Sequence, residues 1–117
     1  MLMSEFSVQS HFANREPNVQ AIYDKLLVQC STFGNVVEEP KKTSIHLVNA
    51  SAFAGVATRK AYLILTIKAD TTISSKRIHK SDKVSAARYH LEVKLNSPDE
   101  VDAELLGWLK QAYALSA

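Results

Sequence analysis

The spacing of apolar residues changes twice along this chain, and these changes constrain its fold more than any other sequence feature. Over residues 17–33 apolar residues recur at three- and four-residue steps, which indicates one buried stripe on an amphipathic helix. Over residues 36–95 they mostly alternate with polar residues, which is typical of strands with one buried face. After residue 97 the helical spacing returns. The sequence therefore predicts a helix, an antiparallel meander and a second helix.

The alternating region predicts five short strands joined mainly by hairpin turns. They are expected at residues 36–39, 44–47, 53–58, 62–68 and 88–95. Gly55, inside the third strand, suggests a bulge. Residues 69–87 are polar and are expected to form a long loop. The predicted fold class is α+β, with a four- or five-stranded antiparallel sheet and the N-terminal and C-terminal helices packed on one of its faces.

Local signals mark the ends of the predicted elements. Residues 1–14 are polar and without period, so we expect a poorly ordered lead, and we assign residues 15–117 to a single domain. Gly34 is suited to close the first helix in a left-handed conformation. The Ser-Pro-Asp-Glu sequence at residues 97–100 is a capping box, which predicts the start of the second helix.

Positive charge is concentrated in one segment of the chain. Residues 59–94 carry nine Lys or Arg against three carboxylates, whereas the whole chain has a net charge of +2. Such a region favours an anionic partner, either a small anion or a polymer such as nucleic acid. We expect a binding module without catalytic residues that uses these positions. The anion-binding candidates are Lys76, Arg77, Lys80, Arg88 and His90.

Three other interpretations of the basic segment remain open. Lys and Arg commonly solvate an exposed sheet face without binding a ligand. The domain could instead be a structural or protein-interaction module, for example a homodimer formed through a sheet edge or an open sheet face. An enzyme that uses the Ser, His and Asp side chains of residues 69–87 is a third alternative. Neighbouring side chains in one loop, however, lack the fixed geometry that a nucleophile and its base require.

The sequence contains no motif for a cofactor or a metal. It lacks a glycine-rich phosphate loop, paired cysteines and a closely spaced histidine pair. His46 and His90 would share a face if their strands were close, but two imidazoles without a third ligand make a weak zinc site. Cys30 lies on the apolar stripe of the first helix, where burial is expected and activation of the thiol is not. We therefore expect no cofactor and no metal.

The chain also lacks the signals of a membrane protein. No apolar run approaches the roughly 20 residues that a membrane-spanning helix requires. Residues 1–5 do not begin the basic and apolar pattern of a signal peptide. A single cysteine cannot form an internal disulfide, which fits a reducing compartment. We expect no membrane contact and a cytoplasmic location.

Several segments resemble a bacterial family. They are residues 19–26 (VQAIYDKL), 33–34 (FG), 41–45 (KKTSI), 53–56 (FAGV), 88–95 (RYHLEVKL), 101–105 (VDAEL) and 108–113 (WLKQAY). Over about residues 19–114 the chain resembles the domain-of-unknown-function family number 5655. The resemblance implies no established activity, although some relatives carry the label "predicted transport protein". Because no membrane-spanning segment is predicted, any transport role would be accessory. Among the matched positions, Arg88 and His90 carry the side chains best suited to chemical interactions with a ligand.

Overall fold

The structure is a computed structural model that describes residues 6–117, so the first five residues of the predicted lead lie outside the described residues. The two α-helices are α1 (Pro17–Cys30) and α2 (Ala103–Leu115). The strands are β1 (Val37–Pro40), β2 (Ile45–Val48), β3 (Ala52–Thr58), β4 (Leu63–Ala69), β5 (Ile78–Ser85) and β6 (Arg88–Leu95). Short 3-10 helices at Gln9–Phe12 and Pro98–Glu100 precede α1 and α2.

The strands form one antiparallel sheet in the order β1-β2-β3-β4-β6-β5. The α+β prediction is confirmed, and the sheet has six strands where we expected four or five. The additional strand is β5, which lies within residues 69–87 and corrects the prediction of a long loop there. Residues 79–85 of β5 are exposed on both faces, so this strand has no alternation of apolar residues to detect. Pairing with β6 stabilises it in place of burial.

The predicted bulge lies at a different position. Gly55 pairs regularly with His46 and Thr66. The register shifts instead where Leu47 pairs with Ala54 and the next residue pairs with Ala52, which leaves Phe53 as the extra residue. A bulge places two successive side chains against one partner, and both Phe53 and Ala54 are buried. Gly55 is therefore a regular strand residue whose distinguishing property is the absence of a side chain.

Both helices cover the same face of the sheet and enclose the core. The fully buried side chains include Tyr23, Ile22, Leu26, Phe53, Leu65, Ile67, Leu91 and Leu105. Phe12, within the segment predicted as a lead, is also buried and contacts Tyr23 with ring centroids 5.3 Å apart. Cys30 is fully buried, which confirms the burial expected from its place on the apolar stripe. Burial raises the pKa of its thiol to about 12.

The helix ends differ from the sequence expectation by a few residues. The capping box encloses the 3-10 helix at Pro98–Glu100. The second α-helix begins later, with Asp102 as its N-cap, where a carboxylate oxygen accepts from the backbone N–H of Leu105 at 3.1 Å. The first helix ends at Cys30 with Ser31 as its C-cap, so the prediction that Gly34 closes this helix is wrong. Gly34 lies beyond the helix end with a φ of 150°, and a Cβ there would lie 2.5 Å from the Tyr113 hydroxyl, so both conformation and space favour glycine.

Candidate anion-binding site

The sheet face opposite the helices contains a shallow trough. Antiparallel pairing aligns His46 with Gly55, and Gly55 with Thr66, so the missing side chain of Gly55 lies between two larger ones. Ala52 and Ala57 on the same strand also contribute little bulk, and together these three residues form the floor. The trough has a volume of about 220 Å³. A Cβ at Gly55 would meet His46 at 3.8 Å and Thr66 at 4.0 Å, which is ordinary contact.

Basic side chains gather at one end of this trough. Lys68 and His90 line it and are paired across β4 and β6. The Lys68 ammonium donates to the Ser51 hydroxyl at 3.1 Å. Partial burial lowers the pKa of Lys68, and the positive charge of Arg88 lowers it further. Arg88 therefore lies close enough to Lys68 for the two like charges to repel.

These two cations lack a carboxylate partner. Among residues 6–117, neither Lys68 nor Arg88 forms an ion pair, and Arg88 donates to the backbone carbonyl of Ala87 at 2.9 Å. Asp82 faces the far side of His90 across β5 and β6, but it pairs with Lys80 at 3.4 Å. An anion that entered the trough would therefore meet positive charge that the described part of the fold leaves uncompensated.

The structure places Arg77 in a different environment. Its guanidinium donates to both carboxylate oxygens of Asp102 at 2.8 and 3.1 Å, to Glu104 at 3.1 Å and to the carbonyl of Glu100 at 2.7 Å. It also lies 5.8 Å from the centroid of the Trp108 ring. Arg77 thus connects the segment before β5 to the beginning of α2. The carboxylates of Asp102 and Glu104 compensate its charge.

The five predicted positions therefore separate into groups. Arg88 and His90 come together beside the trough. Lys80 lies farther out on β5, where it contacts Asp82 and, at 4.0 Å, Glu92. Lys76 is exposed in the segment between β4 and β5, and Arg77 is held at α2. Lys68 is not among the predicted positions. Alternation places it outward on β4, and only the strand register shows that it lies opposite His90.

The histidines of the trough do not converge on a metal position. His46 is on β2 and His90 on β6, and these two strands are three strand spacings, or about 14 Å, apart. Within residues 6–117, no group of three His, Cys, Asp or Glu is arranged to hold a metal ion. The described helices are also too short or too polar to cross a membrane.

Fold and site together define a small α+β domain with helices on one sheet face and a partly cationic trough on the other. The chain belongs to the family described as Domain of unknown function (DUF5655), whose family model matches residues 8–116. Comparisons with curated proteins and with solved structures found no significant match.

Proposed function

We propose that this domain is a binding module for a ligand with a narrow, largely apolar body and an anionic end. The observation that carries the proposal is the trough itself, whose floor of small residues leads to Lys68 and His90. Small side chains admit a flat group, and the Lys68 ammonium, with the charge of Arg88 nearby, orients an anionic substituent toward this end. His46 and Thr66 on opposite walls offer polar contacts to the body of the ligand.

The remaining basic surface gives less support to a long anionic polymer. Arg77 and Lys80 form intramolecular ion pairs, and the Lys94 ammonium lies 4.2 Å from the centroid of the Tyr62 ring. Polymers are held by many phosphate contacts that act together. Fewer cations are free for such contacts than the sequence suggests. A nucleic acid is therefore the second candidate source of the anionic group.

The alternative of a homodimer draws little support from the surface. Val28, Val37 and Val84 are the large apolar side chains exposed within the described residues, and they lie on three different elements. The edge strand β5 carries Lys80, Asp82 and Lys83, and charged residues on an edge oppose strand-to-strand pairing. Light scattering would test the dimer, which stays a prediction from the sequence.

Residue-resolved NMR would test the trough. The ¹⁵N-labelled domain is titrated with phenyl phosphate, whose ring fits the proposed ligand body, and in parallel with inorganic phosphate. We expect phenyl phosphate to shift the amide signals of Gly55, Thr66 and His90, and to do so more strongly than inorganic phosphate. A single-stranded oligonucleotide titrated at two salt concentrations shows whether a polymer supplies the anion.

Two glycines provide a matched pair of variants. Gly55→Ala places a methyl group on the trough floor, in ordinary contact with His46 and Thr66. Gly107→Ala makes the same change on an exposed part of α2, where a Cβ meets nothing within 4 Å. Because alanine is preferred to glycine in strands and helices, both variants should melt at or above the wild-type temperature.

Only the trough variant should lose affinity. We expect Gly55→Ala to weaken phenyl phosphate binding severalfold and Gly107→Ala to leave it unchanged. Equal affinity in both variants, or shifts confined to residues outside the trough, would contradict the proposed site.

A further inference from the structure

A second polar depression lies where three chain segments meet, and it shares no lining residue with the trough. It has a volume of about 310 Å³. Residues 10–15 before α1, the β1–β2 turn and the β3–β4 turn each contribute to its lining. The three cations in this lining are Arg15, Lys42 and Arg59, one from each segment. No carboxylate belongs to the described lining, which is completed by hydroxyl groups and His11.

Hydrogen bonds fix the three segments relative to one another. The hydroxyl of the buried Thr58 donates to the carbonyl of His11 at 2.6 Å and accepts from Nε of Arg15 at 3.2 Å. Nε2 of His11 bonds the carbonyl of Lys41 at 2.8 Å, and since a carbonyl only accepts, this nitrogen carries the proton. The lining is therefore tied together from three separate parts of the chain.

The cations of this depression retain free donors. Arg15 uses Nε for Thr58, which leaves both of its terminal nitrogens without a partner among residues 6–117. Arg59 uses one terminal nitrogen for the carbonyl of Thr58 at 3.0 Å. None of Arg15, Lys42 and Arg59 forms an ion pair with a carboxylate of the described chain. Like charges held around one depression repel each other, and a bound anion would relieve that repulsion.

We propose that Arg15, Lys42 and Arg59 form a second anion-binding site that accepts a phosphate group. The planar guanidinium groups present paired donors that match the oxygens of phosphate, and the Lys42 ammonium adds a mobile point charge. The hydroxyl groups of Ser10 and Thr43 line the same depression and supply neutral donors. This site is separate from the trough and does not depend on the function proposed for it.

Phosphate titrations followed by NMR test this site. Inorganic phosphate is compared with O-phosphoserine, because the phosphate group could come from the free ion or from a monoester. Sodium chloride at equal ionic strength is the blank. We expect phosphate-specific shifts at the amides of Thr43 and Arg59 and at the Nε signal of Arg15. Stronger binding of O-phosphoserine would identify a monoester, and stronger binding of inorganic phosphate would identify the free ion.

Two double variants separate this site from general electrostatic attraction. Lys42→Gln with Arg59→Gln removes two cations from the depression and keeps the bond from Arg15 to Thr58. Lys76→Gln with Lys110→Gln removes the same charge from exposed positions elsewhere. We expect about a tenfold loss of phosphate affinity in the first variant only. An equal loss in both, or no phosphate-specific shift in the wild-type domain, would overturn the proposal.

A trough variant keeps the two sites distinguishable. Lys68→Met with Arg88→Met should retain phosphate binding at Arg15 and Arg59 while losing phenyl phosphate from the trough. If this variant also loses the shifts at Thr43 and Arg59, the depression is not an independent site.

Discussion

Arg77 and Arg88 belong to the same basic segment, yet the fold uses their charges in opposite ways. Arg77 contacts Asp102 and Glu104 and ties two segments of the chain together. Arg88 has no ion pair within residues 6–117 and lies near Lys68, whose pKa it helps to lower. The first charge is compensated within the molecule. The second increases local repulsion, which an anionic ligand would relieve. Removing each charge should therefore affect different properties of the domain.

The largest expected effect on stability comes from the compensated charge. Arg77→Met removes hydrogen bonds to two carboxylates and leaves the carbonyl of Glu100 without this donor. We expect the free energy of unfolding to fall by about 2 kcal/mol, which corresponds to roughly 10 °C in Tm for a domain of this size. Calorimetry measures the change, and Lys76→Met at the exposed neighbouring position is the control. An unchanged Tm for Arg77→Met would show that the cluster contributes little.

Removal of the uncompensated charges should weaken ligand binding without lowering the stability of the domain. Lys68→Met with Arg88→Met removes two repelling cations, one of them partly buried, so the Tm should be equal to or above that of the wild type. The affinity of the trough for phenyl phosphate, followed by the shifts of the Gly55 and Thr66 amides, should fall by about tenfold, or about 1.4 kcal/mol. Calorimetric melting and the NMR titration on the same samples measure both properties. Lower stability combined with unchanged affinity would mean that Lys68 and Arg88 stabilise the fold and do not bind the ligand, which contradicts this account.

The Arg77 region should also give a pH dependence. The bond from Arg77, together with the N–H of Leu105, holds the pKa of Asp102 below its usual range. A carboxyl group with a lowered folded-state pKa contributes stability that is complete above its unfolded-state pKa and is lost as the pH falls through the folded-state value. Asp102→Asn should therefore lower stability at neutral pH by about 0.5–1 kcal/mol, because the side chain is half exposed.

Urea unfolding between neutral and acidic pH measures that dependence. The difference between the wild type and Asp102→Asn should shrink once the pH falls below about 4, where aspartate begins to protonate in the unfolded chain. A difference that is the same at every pH would mean that the ion pair with Arg77 contributes nothing.

The smallest effect is expected at Lys80, whose ion pairs are exposed. Its ammonium lies 3.4 Å from Asp82 and 4.0 Å from Glu92. Because exposed pairs of this kind contribute little, Lys80→Gln should change the free energy of unfolding by less than about 0.5 kcal/mol. It should also leave phenyl phosphate binding close to the wild-type level, in contrast to the change at Lys68 and Arg88. A tenfold loss of affinity would extend the proposed site to β5.

The sequence predicts the strands whose apolar residues alternate, and it does not predict β5, which has no such alternation. The strands β4 and β6 alternate clearly, and the predicted range for β6 matches the structure. The strand β5 was missed because its side chains are exposed on both faces. The sequence identifies the capping box, but a 3-10 helix follows it, and the α-helix begins only after its own N-cap, Asp102.

The candidate site was predicted only in part for a related reason. Alternation places Arg88 and His90 near each other, since they are two residues apart on one strand. The partnership of Arg77 with Asp102 joins positions 25 residues apart, and no local pattern predicts it. Lys68 meets His90 only through the register of β4 and β6. Counting charges therefore locates a basic segment without showing which cations the fold has already paired.

The most direct test of the trough is the pKa of the Lys68 ammonium, measured by NMR with and without saturating phenyl phosphate. In the free domain we expect a pKa below that of an ordinary lysine, because of partial burial and the charge of Arg88. An anion bound at this end of the trough favours the charged form and should raise the pKa. A pKa that does not change when phenyl phosphate binds would contradict the proposal that Lys68 holds the anionic end of the ligand.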